Sequence, residues 1–207
     1  VIIAVDGPTA SGKGTIARAL ADHFGLPHLD TGLLYRAVGW QVAASGGDPD
    51  QPADALAATG FPDSLLADPA LRSESVGALA SRVSVHPAVR DALLARQRAF
   101  AAQPGGAVLD GRDIATVIAP EADAKLYVTA SVAARALRRY VEMRRRGEAV
   151  SREAIEADLA ARDARDSGRS VAPLRQAEGA ALLDTSALPP EAAIAAAIAL
   201  VRKQTGR

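Results

Sequence analysis

The sequence predicts an α/β fold: a five-stranded parallel sheet covered by helices on both faces, with a phosphate-binding loop at one strand end. Three observations carry this. Short apolar, β-branched runs alternate with helix-like stretches along the chain. The first such run, Val1-Ile2-Ile3-Ala4-Val5, opens directly onto Gly7-Pro8-Thr9-Ala10-Ser11-Gly12-Lys13-Gly14-Thr15. The chain also has 207 residues and is 49% hydrophobic, enough for one domain with mobile inserts.

Each element follows from local signals. Val1–Val5 reads as the first strand. Lys13–Phe24 reads as the first helix, stopped by Gly25 and Pro27. His28-Leu29 is a short second strand, and Thr31 is expected to cap a helix running to about Ala44, broken by Gly46-Gly47-Asp48-Pro49. The stretch from Ser45 to Pro69 is rich in Gly, Pro and Asp and reads as a loose connection. Helices follow over about Ser73–Val83 and Pro87–Ala102, with Pro87 at the first helical position of the second. Ala107-Val108-Leu109 is a strand ending on Asp110, and Ala124–Val128 is another. Ser131 caps a helix to Arg146 that Gly147 ends, and Ser151–Asp166 is a further helix closed by Gly168. Ala181–Leu183 is the last strand and Pro190–Lys203 the last helix, Ala-rich through ordinary helix propensity.

Composition narrows the function. Formal net charge is zero, against a general nucleic-acid coat or membrane-surface role. There is no cysteine, hence no disulfide and no thiolate metal site. No apolar run approaches the about 20 residues of a membrane span. The sequence opens on the phosphate-loop strand, so no signal peptide and a cytoplasmic location are expected. Lys13, Lys125 and Lys203 are the only lysines; arginine dominates, which suits bidentate phosphate binding but also fits simple compositional bias.

The first loop carries the clearest chemistry. Glycines let consecutive N–H groups turn inward on phosphate oxygens, the following helix adds its positive end, and Lys13 adds a full charge. Gly14 stands between Lys13 and Thr15, where the general motif has Ser or Thr directly after Lys. That Gly-Lys-Gly-Thr form is closer to nucleoside monophosphate kinases than to GTPases. The chain also has no Asn, so a base-reading Asn-Lys-x-Asp element is absent.

Asp30-Thr31-Gly32 with Tyr35-Arg36 sits at the second strand end, where ligands bind in such folds. Arg36, one turn in, is placed to reach a phosphate, against the plainer reading of a solvated helix cation. Asp110-Gly111-Arg112-Asp113 closes the third strand; Asp110 is a candidate to orient Mg²⁺ or its waters, and Arg112 to meet a transferring phosphate. Arg162-Asp163-Ala164-Arg165-Asp166-Ser167-Gly168-Arg169 is the densest charge cluster. It reads either as a salt-bridged solvated helix or as a lid that folds over phosphates, and Arg138-Arg139 could belong to the same lid. Ser81 and Arg90, on adjacent helices, read by themselves as a buried Ser and a solvated Arg. His23, His28 and His86 make no metal-ligand pattern.

Taken together with Val171-Ala172-Pro173-Leu174, these motifs resemble the bacterial cytidylate kinases over nearly the whole chain. The resemblance implies ATP:CMP phosphotransfer, with dCMP also accepted and Mg²⁺ accompanying ATP. It implies donor contacts from Gly7 through Thr15 and from Arg139. It also implies cytosine-side contacts at Thr31, Ser81, Arg90 and Asp113, an acceptor-phosphate clamp of Arg36 and Arg112, and lid contacts at Arg162, Asp166 and Arg169. Lys13, Arg36, Arg112 and Arg162 would carry the catalysis, and Thr15 and Asp110 would lie near the metal. On this basis residues 1–207 form a single kinase domain, with an acceptor-binding segment over about 45–103 and a lid over about 147–170. The protein is expected to act as a monomer without nucleic-acid or membrane partners. Members of that family carry a small β-rich insert in the acceptor region; here Ser45 to Arg72 is short and shows no run of strands, so the insert reads as trimmed. The alternatives are a related small kinase for another acceptor, such as shikimate or dephospho-coenzyme A, and a regulatory nucleotide-binding module without catalysis.

Overall fold

The computed structural model describes residues 1–206. Five strands, β1 (Ile2–Asp6), β2 (His28–Asp30), β3 (Ala107–Gly111), β4 (Ala124–Thr129) and β5 (Ala181–Asp184), form one sheet in the order β2-β3-β1-β4-β5. β1 runs parallel to β3 and β4, and β4 to β5. The helices are α1 (Lys13–Phe24), α2 (Thr31–Ala44), α3 (Pro52–Ala57), α4 (Glu74–Val83), α5 (Pro87–Ala101), α6 (Val132–Arg145), α7 (Arg152–Ser167) and α8 (Pro190–Thr205). The expected five-stranded parallel α/β sheet is therefore present. No helix among the described residues is long and apolar enough to cross a membrane.

The chain divides into two compact units, residues 1–29 with the chain from 101 onward, and residues 30–100. The core of the first unit follows from the period of two along β1. Ile3 and Val5 point to one face and join Val108, Leu126 and Val128. Against them lie Ile16, Ala17, Leu20 and Ala21 of α1 and the stripe Ala193, Ala197, Val201 of α8. The spacing of four puts that stripe on one helix face. A satellite core of Ala136, Ile155 and Leu159 joins α6 to α7 and takes in Ala10 of the phosphate loop.

In the second unit Leu34, Val38 and Val42 of α2 pack with Leu71, Val76, Val83 and Leu93. α2 crosses α4 closely because Gly39 has no side chain: a Cβ there would stand 2.8 Å from Leu79 Cβ and 2.9 Å from its carbonyl carbon.

Two local expectations are corrected. Thr31 is the first residue of α2 and not its cap; Asp30 holds that position, without a side-chain capping bond. The stretch from Ser45 to Pro69 is not a loose connection. It contains α3 and two 3₁₀ turns, Ala58–Gly60 and Asp63–Ala67, with a third at Pro69–Arg72. Their apolar residues Ala55, Ala58, Phe61 and Leu71 are buried, which the Pro- and Gly-rich composition concealed. Arg82 fixes the preceding turn through both nitrogens of its fork on Asp50 (2.8 and 2.6 Å), and His86 Nε2 lies 2.9 Å from the Pro49 carbonyl. No strand occurs in this stretch. The turn after β3 winds into one π-helical turn, Ile114–Ile118, against β1.

Gly39→Ala is expected to destabilise the protein by roughly 1–2 kcal/mol, because forced separation of α2 and α4 outweighs the gain in helix propensity. Urea unfolding of the variant against wild type measures this.

Candidate active site

The loop between β1 and α1 has the backbone its sequence demands. Gly7 approaches β4 so closely that a Cβ would lie 2.0 Å from the Val128 carbonyl oxygen. Gly12 (φ 90°) and Ala10 (φ 59°) take left-handed conformations, the latter unusual for a residue with a side chain. α1 starts from Gly12 with no side-chain cap and no acidic residue in its first turn. Nothing on the helix itself neutralises its positive end, which favours an anion there. Pro8, Thr9 and Ser11 are buried, Lys13 and Gly14 half-buried, and Thr15 is exposed. The buried Ser11 hydroxyl has no hydrogen-bond partner among the described residues.

Asp110, the penultimate residue of β3, lies beside this loop. His28 Nε2 lies 2.7 Å from Asp110 Oδ1, while Oδ2 faces Gly14, 3.7 Å from where a Cβ would stand. His28 was not distinguished by sequence; its partner is 82 residues away. The oxygens of Asp110 and Thr15 are hard donors that suit Mg²⁺, and the described residues hold no group of three or more His, Cys, Asp or Glu side chains able to bind a metal alone. The residues present therefore fit an ion that draws most of its ligands from phosphates and water.

Opposite charges converge in the same unit. Arg112 Nε donates to Asp166 Oδ2, and Arg169 Nε donates to the Asp166 carbonyl at 3.3 Å. Burial works to raise the Asp166 carboxyl, but Arg112, Arg169 and Arg162 together outweigh it and hold it below the usual carboxylate value. Arg162 is 9% exposed and Asp166 2%, so this face of α7 is not the solvated, salt-bridged surface that charge alternation also allowed. Arg165 is exposed, as are Arg144, Arg145 and Arg146. Burial, the larger influence on Arg139, lowers the pKa of its guanidinium, against the carboxylates of Asp158, Glu142 and Glu148.

The second unit holds Thr31, Arg36, Ser81 and Arg90. Arg36 Nη1 donates to the carbonyls of Leu71 (2.7 Å) and Ser73 (2.8 Å), and Gly77 leaves room for the guanidinium, since a Cβ there would be 2.8 Å from Nη2. Arg90 is 7% exposed and lies 5.4 Å over the Tyr35 ring, so it is not a solvated helix cation. Thr31 and Ser81 are buried, and the Ser81 hydroxyl has no hydrogen-bond partner among the described residues. A buried hydroxyl in that condition costs stability unless a ligand satisfies it.

Besides His28, three features were missed by sequence reasoning. Asp6, the last residue of β1, accepts the N–H groups of Ile114 and Ala115, each at 2.8 Å. Burial pushes its carboxyl from 3.8 up to about 7; Asp113 adds to the rise, while the two N–H bonds and Lys13 oppose it. Arg135, 2% exposed, donates to the Thr9 carbonyl (3.1 Å), the Ala130 carbonyl (2.9 Å) and Asp163 Oδ1 (3.0 Å), and so ties the phosphate loop to α7. Thr185, after β5, donates to the Ser11 carbonyl at 2.9 Å and accepts from Arg138 Nη1 at 3.1 Å. There it helps enclose a mainly apolar cavity of about 180 Å³ with Thr15, Arg138, Leu188, Pro190 and Ile194. A polar turn at the carboxyl end of the last strand was the one available signal for it.

A five-stranded parallel sheet in this order, a phosphate loop between its central strand and α1, and arginines gathered at the strand ends define a transferase of the nucleoside monophosphate kinase class. A sequence model of one family, described as cytidylate kinase, matches residues 3–203. The chain is 56% identical over 208 aligned positions to a cytidylate kinase of Xanthobacter autotrophicus, covering all of both chains. It is 55% identical to one of Granulibacter bethesdensis (100% of this chain, 99% of the relative) and 52% to one of Rhodopseudomonas palustris strain HaA2 (97% and 95%). The chain belongs to the cytidylate kinase family. These relatives are matched almost end to end, so the strandless segment is not a shortening relative to them.

Two outcomes follow. Removing the buried guanidinium in Arg135→Ala leaves Asp163 without its fork, and a loss of roughly 3 kcal/mol is expected in urea unfolding. For Asp6 the folded value, about 7, lies above the ordinary carboxylate value of 3.8, so the folded state binds the proton more tightly. Its contribution to stability is complete below that lower value, declines as pH rises, and is lost above about 7. Asp6→Asn should abolish this decline in unfolding midpoints measured from about pH 5 to about pH 8.

Proposed function

We propose that the protein transfers the terminal phosphoryl group of ATP to CMP and dCMP, releasing ADP and the cytidine diphosphates. The gathering of Arg112, Arg162 and Arg169 about one buried carboxylate carries this reading, alongside relatives named cytidylate kinases. A cationic cluster of this kind can take a phosphate in place of, or beside, the carboxylate.

Donor phosphates lie in the loop from Gly7 through Pro8, Thr9, Ala10, Ser11, Gly12, Lys13 and Gly14 to Thr15, with Arg139 at their outer side. The donor base occupies the apolar cavity lined by Leu188, Pro190 and Ile194. Thr15 and Asp110 would hold Mg²⁺, in part through water, with His28 fixing the Asp110 carboxylate. When bound, the ion screens the charge of the donor phosphates. Thr31, Ser81, Arg90 and Asp113 take the cytosine side, Arg36 and Arg112 the acceptor phosphate, and Asp166 with Arg169 the sugar and phosphate. The acceptor phosphate oxygen attacks the γ-phosphorus as the bond to the β-bridging oxygen breaks. Such a transfer needs placement and charge neutralisation rather than covalent help, which Lys13, Arg36, Arg112 and Arg162 supply. Residues about 147–170 act as the lid that excludes water. The enzyme works as a monomer in the cytoplasm, without nucleic-acid or membrane partners.

A coupled ADP-release assay across CMP, dCMP, UMP, AMP and shikimate tests the reading. CMP and dCMP are expected to be the preferred acceptors; a preference for another acceptor, or ATP binding with no acceptor-dependent turnover, overturns it. Lys13→Ala should lower kcat by roughly 100-fold or more with an unchanged circular dichroism spectrum.

A further inference from the structure

The last residue of β1 combines three properties that a structural residue seldom shows together. Asp6 is 1% exposed and ionisable, and both carboxylate oxygens bond across 108 and 109 residues of sequence. Its register neighbours are Gly111 on β3 and Tyr127 on β4, and its side chain reaches the turn after β3.

That turn carries Arg112 and Asp113 and then winds into the π-helical turn Ile114–Ile118. Asp113 stands at its N-cap position but makes no side-chain capping bond. Its first N–H groups are capped instead from β1, by Asp6. Only a carboxylate meets this demand. Each oxygen accepts one N–H, whereas an amide offers one oxygen and would set its NH₂ group against the second donor.

We propose that Asp6 is a positioning residue for the acceptor side of the reaction: by capping the Ile114–Ala115 backbone it sets the direction in which Arg112 and Asp113 leave the sheet. This rests on the reading that Arg112 and Asp113 bind CMP. Burying an ionisable group here is costly, as its raised pKa records, and an apolar residue would be cheaper if the strand end served only to pack. The charged groups that act on it are Asp113, which opposes its ionisation, and Lys13, which favours it; Tyr127 feels its charge in return. The same carboxylate thus bonds the turn after β3 and feels the charge of Lys13.

The test compares wild type with Asp6→Asn, using steady-state kinetics in CMP and direct titration of ATP binding. The expected result is a fall of roughly 10- to 100-fold in kcat/KM for CMP, with the ATP dissociation constant within about twofold of wild type. An unchanged kcat/KM for CMP overturns the proposal, as does a loss of ATP affinity equal to the loss on the CMP side. Should Asp6→Asn fail to fold, Asp6→Glu keeps the charge but displaces the turn, and the same split decides. If wild type itself does not turn over CMP in this assay, the proposed function fails; if it does and the variant matches it, only the positioning role fails.

Discussion

Two polyanions repel, and a protein that moves a phosphoryl group between them must hold fixed positive charge where they meet. Three arginines, Arg90, Arg135 and Arg162, are buried in this protein, and Arg36 and Arg112 are half-buried. A buried guanidinium is tolerated only with partners that take its charge and its N–H groups. Here those partners are Asp166 for Arg112, Asp163 and two carbonyls for Arg135, two carbonyls for Arg36, and a ring face and a carbonyl for Arg90. These partners fix where each guanidinium points.

The sheet supplies the rigid frame for this. β1 ends in Asp6 and passes at once into the phosphate loop, while β3, its neighbour, ends in the turn of Asp110 to Asp113. The side chains of β1 pointing to one face build the apolar core with α1 and α8. Its final carboxylate does the opposite work, accepting backbone N–H groups at a position almost wholly shielded from solvent. Arg135 makes a second link, from the Thr9 carbonyl to Asp163 on α7, one residue from Arg162. Loop, strand-end turn and α7 are thereby bonded to one another rather than merely adjacent.

These links carry a thermodynamic cost. Asp6 is raised to about 7 because burial outweighs its two hydrogen bonds, so at neutral pH it destabilises the fold that it organises. The unsatisfied hydroxyls of Ser11 and Ser81 and the left-handed Ala10 belong to the same pattern. Each costs stability in the protein as it stands.

The sequence by itself determined the order of the elements, the phosphate loop and the strand-end arginines. Each is written in short-range terms: a period of two or four, a glycine at a turn, a lysine at fixed distance from a strand. The helical turns between Ser45 and Arg72 were not legible, because packing of a few apolar side chains overrides a composition that favours loops. Only the tertiary structure decided which charges are structural and which face the strand ends. A carboxylate at position 6, a histidine at 28 and an arginine at 135 or 90 read the same in sequence whether solvated or buried. Their partners lie far along the chain, in three of the four cases more than 80 residues away. A hydrogen bond across that separation leaves no periodic trace; it exists only once the strands are in register.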